Sequence, residues 1–129
     1  MEGKKIKPTR MTPEVYLGTE GIIRFQGRSI SEDSKGFFDE VNIWIDKYLE
    51  SPAETTTIEF SLEYFNSASA KQIVLILRKL LLLTQMHKRL TVNWFYEEGD
   101  EDILEKGEYY SSVLEHRFNF IKITGSHIT

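Results

Sequence analysis

The stretch TTTIEFSLEYFNSASAKQIVLILRKLLLLTQMH, residues 55–87, changes its hydrophobic period partway along, and that change decides the fold. From Thr55 to Phe65 the period is two. Ile58, Phe60, Leu62 and Tyr64 point one way, and Thr57, Glu59, Ser61 and Glu63 the other. This predicts a strand buried on one face. From Ala68 to His87 the period becomes helical. The main stripe is Ala70, Ile73, Val74, Leu77, Leu80, Leu81 and Thr84, widened by Ile76 and Leu83. Leu75 and Leu82 lie outside it, on a face shared with Lys71, Arg78 and Lys79. Between strand and helix, Asn66 or Ser67 supplies a short oxygen side chain to cap the helix start.

Working outward, Leu90 to Glu97 repeats the strand design, with Leu90, Val92, Trp94 and Tyr96 against Thr91, Asn93, Phe95 and Glu97. Parallel strands wrapped on both faces read as continuous apolar runs, so this alternation predicts helices on one side only. Upstream, Ser31-Glu32-Asp33-Ser34 starts a helix whose apolar face is Phe37, Phe38, Val41, Trp44, Ile45 and Tyr48, and Ser51-Pro52 stops it. Gly18-Thr19-Glu20-Gly21 joins two β-like runs, Glu14–Leu17 and Ile22–Arg28, into a hairpin. A third helix, Glu101 to His116, carries Ile103, Leu104, Gly107, Tyr110 and Leu114 on one side, and Phe118 to Ile123 closes the chain as a strand. The expected architecture is α/β, in the order β-β-α-β-α-β-α-β. It has a mixed, mostly parallel sheet, an N-terminal hairpin and helices on one face. Residues 1–11 read as a basic, solvated arm and residues 12–125 as a single domain.

Composition narrows the function. A chain of 129 residues is one domain's worth, and 40% hydrophobic with 28% charged residues is ordinary for a globular fold. Cysteine is absent, which excludes disulfides, thiol catalysis and cysteine-ligated metals. A net charge of −4 argues against a general nucleic-acid partner. The basic N-terminus is followed by no apolar secretory segment. The most apolar run, Ile73–Leu83, is broken by Arg78 and Lys79 and falls short of the roughly 20 residues that span a bilayer. No direct membrane insertion is expected, and the default location is cytoplasmic. His87, His116 and His127 are dispersed without metal-ligand spacing. No phosphate-binding glycine loop or nucleophile elbow is present, and no cofactor is expected. The acidic run Glu97-Glu98-Gly99-Asp100-Glu101-Asp102, followed by Glu105, reads first as a helix start complemented by acids. Its alternative reading is a divalent-cation site at Asp100–Asp102 in a small metal-dependent enzyme.

The strand-to-helix junction carries the sharper functional reading. A phosphate on Ser67 would meet free backbone N–H groups and the positive end of the helix dipole, with Lys71 four residues on. Ser69 is a second acceptor, deeper in the first turn. Leu75 and Leu82, rimmed by Arg78 and Lys79, form a candidate partner surface on the same helix.

The run Leu62-Glu-Tyr-Phe-Asn-Ser-Ala-Ser-Ala-Lys71 resembles the signature of the SiaC family of bacterial regulatory phosphoproteins. Thr12-Pro13, Gly27-Arg28-Ser29, Phe37-Phe38, Trp44 and the run Trp94-Phe95-Tyr96-Glu97-Glu98 also fit, so the likeness spans about residues 12 to 123. That family is similar in fold to STAS domains, the class of the anti-anti-sigma factors, so the expected fold is STAS-like. The resemblance implies a partner-switching regulator without enzymatic activity, with Ser67 as phosphoacceptor after Asn66. It also implies its partners: a Ser/Thr kinase, a PP2C-type phosphatase, and an output protein such as a diguanylate cyclase that the unphosphorylated form binds and activates. The chain carries Ser67 where the best-known members carry Thr, and Ala68 where they carry a second hydroxyl. Two other readings stand beside this one: the metal-dependent enzyme, and a structural interaction subunit without a switch.

Overall fold

The computed structural model describes residues 1–124. Six strands form one sheet: β1 (Lys4–Ile6), β2 (Glu14–Gly18), β3 (Ile22–Ser29), β4 (Thr55–Phe65), β5 (Arg89–Glu97) and β6 (Asn119–Ile123). Their order in space is their order in the chain. β1, β2 and β3 pair antiparallel, and β3 to β6 pair parallel. The parallel strands are joined through α1 (Ser34–Tyr48), α2 (Ser67–Leu80) with the short α3 (Leu82–Gln85), and α4 (Glu101–Leu114). No helix among the described residues is long and apolar enough to cross a membrane.

One face of the sheet makes the core. Ile23, Ile58 and Val92 stand in one row across β3, β4 and β5, and Phe25, Phe60 and Trp94 in the next. The Phe25 and Phe60 rings stack with centroids 5.2 Å apart. Phe38, Val41 and Ile45 of α1, Ile73, Ile76 and Leu77 of α2, and Ile103 of α4 pack with them in a single buried cluster. The opposite face is polar. Lys5, Tyr16, Arg24, Glu59, Asn93 and Asn119 form one row across all six strands. Arg24 Nε donates to Glu59 Oε1 (3.1 Å), Asn93 Nδ2 to Glu59 Oε2 (3.0 Å), and Asn119 Nδ2 to Asn93 Oδ1 (2.9 Å). The period-two pattern of the strands thus has its cause: apolar residues under the helices, a hydrogen-bonded polar ladder outside.

Three expectations are corrected. The arm 1–11 is not simply solvated: Lys4–Ile6 pairs with Val15–Leu17, Trp44 Nε1 donates to Glu2 O (2.9 Å), and Lys4 Nζ meets Glu40 at 2.6 Å. A three-residue edge strand rich in lysine carries no periodic signal, and lysines are what such an edge tolerates. Second, Tyr64, read as buried with Ile58, Phe60 and Leu62, is 50% exposed, and Phe65 is buried instead. The register steps from Gly27↔Leu62 to Arg28↔Tyr64, so Glu63 is an extra residue in β4 and everything after it changes face. Gly27 takes the left-handed φ of 115° at this step. Third, the helix expected over 68–87 breaks at Leu81. Thr84 Oγ1 donates to Leu81 O (2.7 Å), the Thr84 N–H donates to the same carbonyl (3.1 Å), and Thr84 is exposed rather than on the apolar stripe. The expected domain end at residue 125, and His127, lie outside the described residues.

Candidate functional site

The end of β4 and the start of α2 meet the loop between β3 and α1. Asn66 governs the junction. Its Oδ1 accepts from Ser69 N (2.9 Å), which caps α2. Its Nδ2 donates to Ser31 O (3.2 Å) and its backbone N–H to Ser29 O (3.0 Å), which ties the helix start to the neighbouring loop. Because Asn66 does the capping, Ser67 is spared that task. Ser67 is the first residue of α2 and exposed, and its hydroxyl has no hydrogen-bond partner among the described residues.

Ser69 has the opposite environment. It is fully buried, and its Oγ donates to Ser29 O (2.9 Å). Ser29 Oγ lies 2.7 Å and Ser34 Oγ 2.6 Å from it. With the one Ser69 proton committed to the carbonyl, the other two hydroxyls must both donate to Ser69. This buried knot locks β3, α1 and α2 together at their meeting point, and the Ser69 hydroxyl, the second expected acceptor, is buried and engaged within it. Neither Ser29 nor Ser34 stood out in the sequence as a site residue, because their partner is 40 and 35 residues away.

Lys71, exposed on α2, borders a cleft of about 470 Å³ beside Ser67, together with Glu32, Asp33 and Lys35 of the α1 start. Asp33 caps α1 by accepting from Gly36 N (3.1 Å). A second lobe of about 490 Å³ lies between α1 and α2 and shares Lys35 and Gln72 with the first, and Leu75, Leu82, Arg78 and Lys79 all line it. Leu75 and Leu82 are 46% and 45% exposed. Lys79 is held by Asp46 at 2.8 Å. Asn42, on the α1 side of this lobe, has a buried Oδ1 without a hydrogen-bond partner.

The acidic run is occupied otherwise. Asp100 Oδ1 accepts from Ile103 N (3.1 Å) and caps α4, and Asp102 pairs with Lys106 at 2.7 Å. The hydrogen bond that Lys106 Nζ donates to the Asp102 carboxylate raises the Lys106 pKa above its ordinary value. Beside Lys106, burial pushes the Tyr110 phenol up. Among the described residues no three His, Cys, Asp or Glu side chains converge in an arrangement that could hold a metal ion. His87 ends α3 with φ 61°, and His116 Nε2 sits 2.9 Å from Leu90 O.

Comparison with known proteins follows the same lines. A family model described as SiaC family regulatory phosphoprotein matches residues 6–123. An uncharacterized protein of Pseudomonas aeruginosa (strain UCBPP-PA14) is 26% identical over 111 residues, 85% of this chain and 88% of its own length. The crystal structure of apo-SiaC from Pseudomonas aeruginosa superposes with a TM-score of 0.83 at 24% identity, over 95% of this chain and 98% of that one. A chain in the crystal structure of the diguanylate cyclase SiaD in complex with its activator SiaC, from the same organism, superposes with a TM-score of 0.82 at 24% identity, over 94% and 98%.

Proposed function

The chain belongs to the SiaC family of regulatory phosphoproteins, and from that membership we propose that it is a phosphorylation-controlled partner switch with Ser67 as its acceptor. It acts by binding, not by catalysis. The observation that carries this reading is the division of labour at the α2 start: Asn66 caps the helix, and the neighbouring Ser67 hydroxyl is exposed and unbonded.

A Ser/Thr kinase transfers the terminal phosphoryl group of ATP to Ser67 Oγ, and a PP2C-type phosphatase removes it by hydrolysis. The added group carries about −2 charge at neutral pH and three acceptor oxygens. No native hydrogen bond has to break to admit it, and it arrives at the positive end of α2. The fold therefore persists while one surface changes its charge. The partner surface is the lobe with Leu75 and Leu82, rimmed by Arg78 and Lys79, which supports docking of an apolar strip flanked by acids. One structural relative is named as the activator of a diguanylate cyclase. We extend that role to this chain: its unphosphorylated form binds and activates a cyclase of this kind in the cytoplasm, and its phosphorylated form lets go. The metal-dependent alternative is not favoured, because Asp100 and Asp102 are engaged as a helix cap and an ion pair.

The acceptor is tested by incubating the chain with its cognate kinase and ATP and mapping the phosphate by peptide mass. The expected result is one phosphate on the Ser67 peptide, lost in Ser67→Ala. Phosphate on Ser61 or another hydroxyl, or its persistence in Ser67→Ala, would overturn the assignment.

A further inference from the structure

The two lobes of the α1–α2 cleft share two lining residues, Lys35 and Gln72. Lys35 therefore stands at the waist, between Ser67 at the head and the Leu75–Leu82 surface at the foot. Its ammonium pairs with Asp39 of the second lobe at 3.3 Å, and the two side chains are 80% and 56% exposed. Gln72 is mostly buried and uncharged, so among the described residues Lys35 is the only charged group bordering both lobes.

We propose that phosphorylation works through an ion-pair exchange at Lys35. Once Ser67 carries phosphate, Lys35 leaves Asp39 for the phosphate, and the freed Asp39 carboxylate changes the charge of the lobe that holds Leu75 and Leu82. The inference rests on Ser67 being the acceptor and deepens that reading by naming how the charge reaches the partner surface.

Three observations carry it. An exposed lysine–carboxylate pair within one helix is weakly held. A phosphate, with about twice the charge and three acceptor oxygens, outcompetes a single carboxylate for the same ammonium. Second, the head of the cleft steers the phosphate. Glu32 and Asp33 line it on the α1 side and repel a new anion, and Asp33 is fixed there by its capping bond from Gly36 N. The cations that line the same lobe as Ser67 are Lys35 and Lys71. Lys71 follows Ser67 by one helical turn, the favourable order for an acid–base pair, and it has no ion pair among the described residues. Third, the second lobe has little spare cation. Lys79 is bonded to Asp46, and Arg78, which lines the same lobe as Asp39, has no ion pair among the described residues, so it is the cation that lobe offers to a freed Asp39. The lobe loses Lys35 to the phosphate and has Arg78 neutralised by Asp39, and its attraction for an acidic surface falls. Ser67 and Leu75 are roughly 12 Å apart along the helix at 1.5 Å per residue. That exceeds the Debye length of about 8 Å at physiological salt. Lys35 carries the signal across by contact rather than by a screened field.

The test installs phosphoserine at position 67 of the full chain during translation, so no kinase is involved. Two quantities are read by NMR: the second ionisation of the phosphate from its 31P shift across pH, and the Asp39 carboxyl 13C shift with and without phosphate. Lys35→Met is the variant; its side chain is exposed, so folding is retained. The exchange predicts that Lys35→Met strengthens proton binding to the phosphate at least about threefold, as expected when a contacting cation is removed. It also predicts that phosphorylation moves the Asp39 signal in the same direction as Lys35→Met does without phosphate. The inference is overturned if Lys35→Met leaves the phosphate titration unchanged, if Lys71→Met alone accounts for the whole effect, or if Asp39 does not respond to phosphorylation. Any of these leaves the acceptor assignment intact, since that is decided separately by mapping the kinase product.

Discussion

Asn66, Ser67 and Ser69 lie within four residues, carry similar short polar side chains, and do three different things. Asn66 caps and ties the loop, Ser69 fills the buried knot with Ser29 and Ser34, and Ser67 is left for solvent. Mutation should separate them. Ser67→Ala removes no native hydrogen bond and is expected to leave the melting temperature within about a degree of wild type. Ser69→Ala deletes the acceptor of two buried hydroxyls, and leaving such groups unsatisfied costs about 1–3 kcal/mol. Urea denaturation of the two variants checks this, and equal midpoints would refute the buried knot. The local half of this picture was legible in the sequence, because helix starts select Asn and Ser by short-range chemistry. The assignment of Ser69 was not, since its partners arrive from β3 and α1 and leave no pattern around residue 69.

The helices and most strands announce themselves through their periods, and β4 runs over Thr55–Phe65 as the alternation predicts. Where that pattern fails, one inserted residue is the reason. Tyr64 and Phe65 are both aromatic, so the sequence gives no hint that Glu63 shifts the register and reverses their faces. The consequence is measurable. Phe65 is 2% exposed and touches Trp94 and Tyr110, so Phe65→Ala should cost about 3–5 kcal/mol, whereas Tyr64→Ser should cost under about 1 kcal/mol. The alternation taken at face value demands the reverse order. β1 escaped notice for a different reason: three residues are too few to define a period. The ends of α3 and α4 share a further device. His87 and Glu115 both adopt left-handed φ values, 61° and 54°. The next residue's N–H, of Lys88 or His116, reaches back to Leu83 O or Ser111 O at 3.0 and 3.2 Å. A side chain is strained there and glycine is not, so His87→Gly and Glu115→Gly should each stabilise the fold by about 0.5–1 kcal/mol, read as a higher denaturation midpoint.

For the whole molecule, the sheet holds one face against the helices and so leaves two adjoining hollows between α1 and α2, one beside Ser67 and one lined by Leu75 and Leu82. The helical stripe predicted that Leu75 and Leu82 lie off the core, and both are exposed. That their hollow and the one beside Ser67 share Lys35 and Gln72 was beyond the sequence, because α1 supplies the other wall from more than thirty residues away. Leu75→Asp should cost less than about 1 kcal/mol, keep the circular dichroism spectrum, and abolish partner binding. Unfolding of the variant would return Leu75 to the core, and normal binding would move the interface elsewhere. The central claim is that one phosphate at Ser67 governs association with an output enzyme. Its most direct test is the affinity of the diguanylate cyclase from the same cell for two homogeneous forms of the chain, unmodified and carrying phosphoserine at 67, measured by calorimetry at physiological salt. The account predicts binding of the unmodified form and at least tenfold weaker binding of the phosphorylated one, a difference of about 1.4 kcal/mol or more. Equal affinities, or tighter binding by the phosphorylated form, would contradict it.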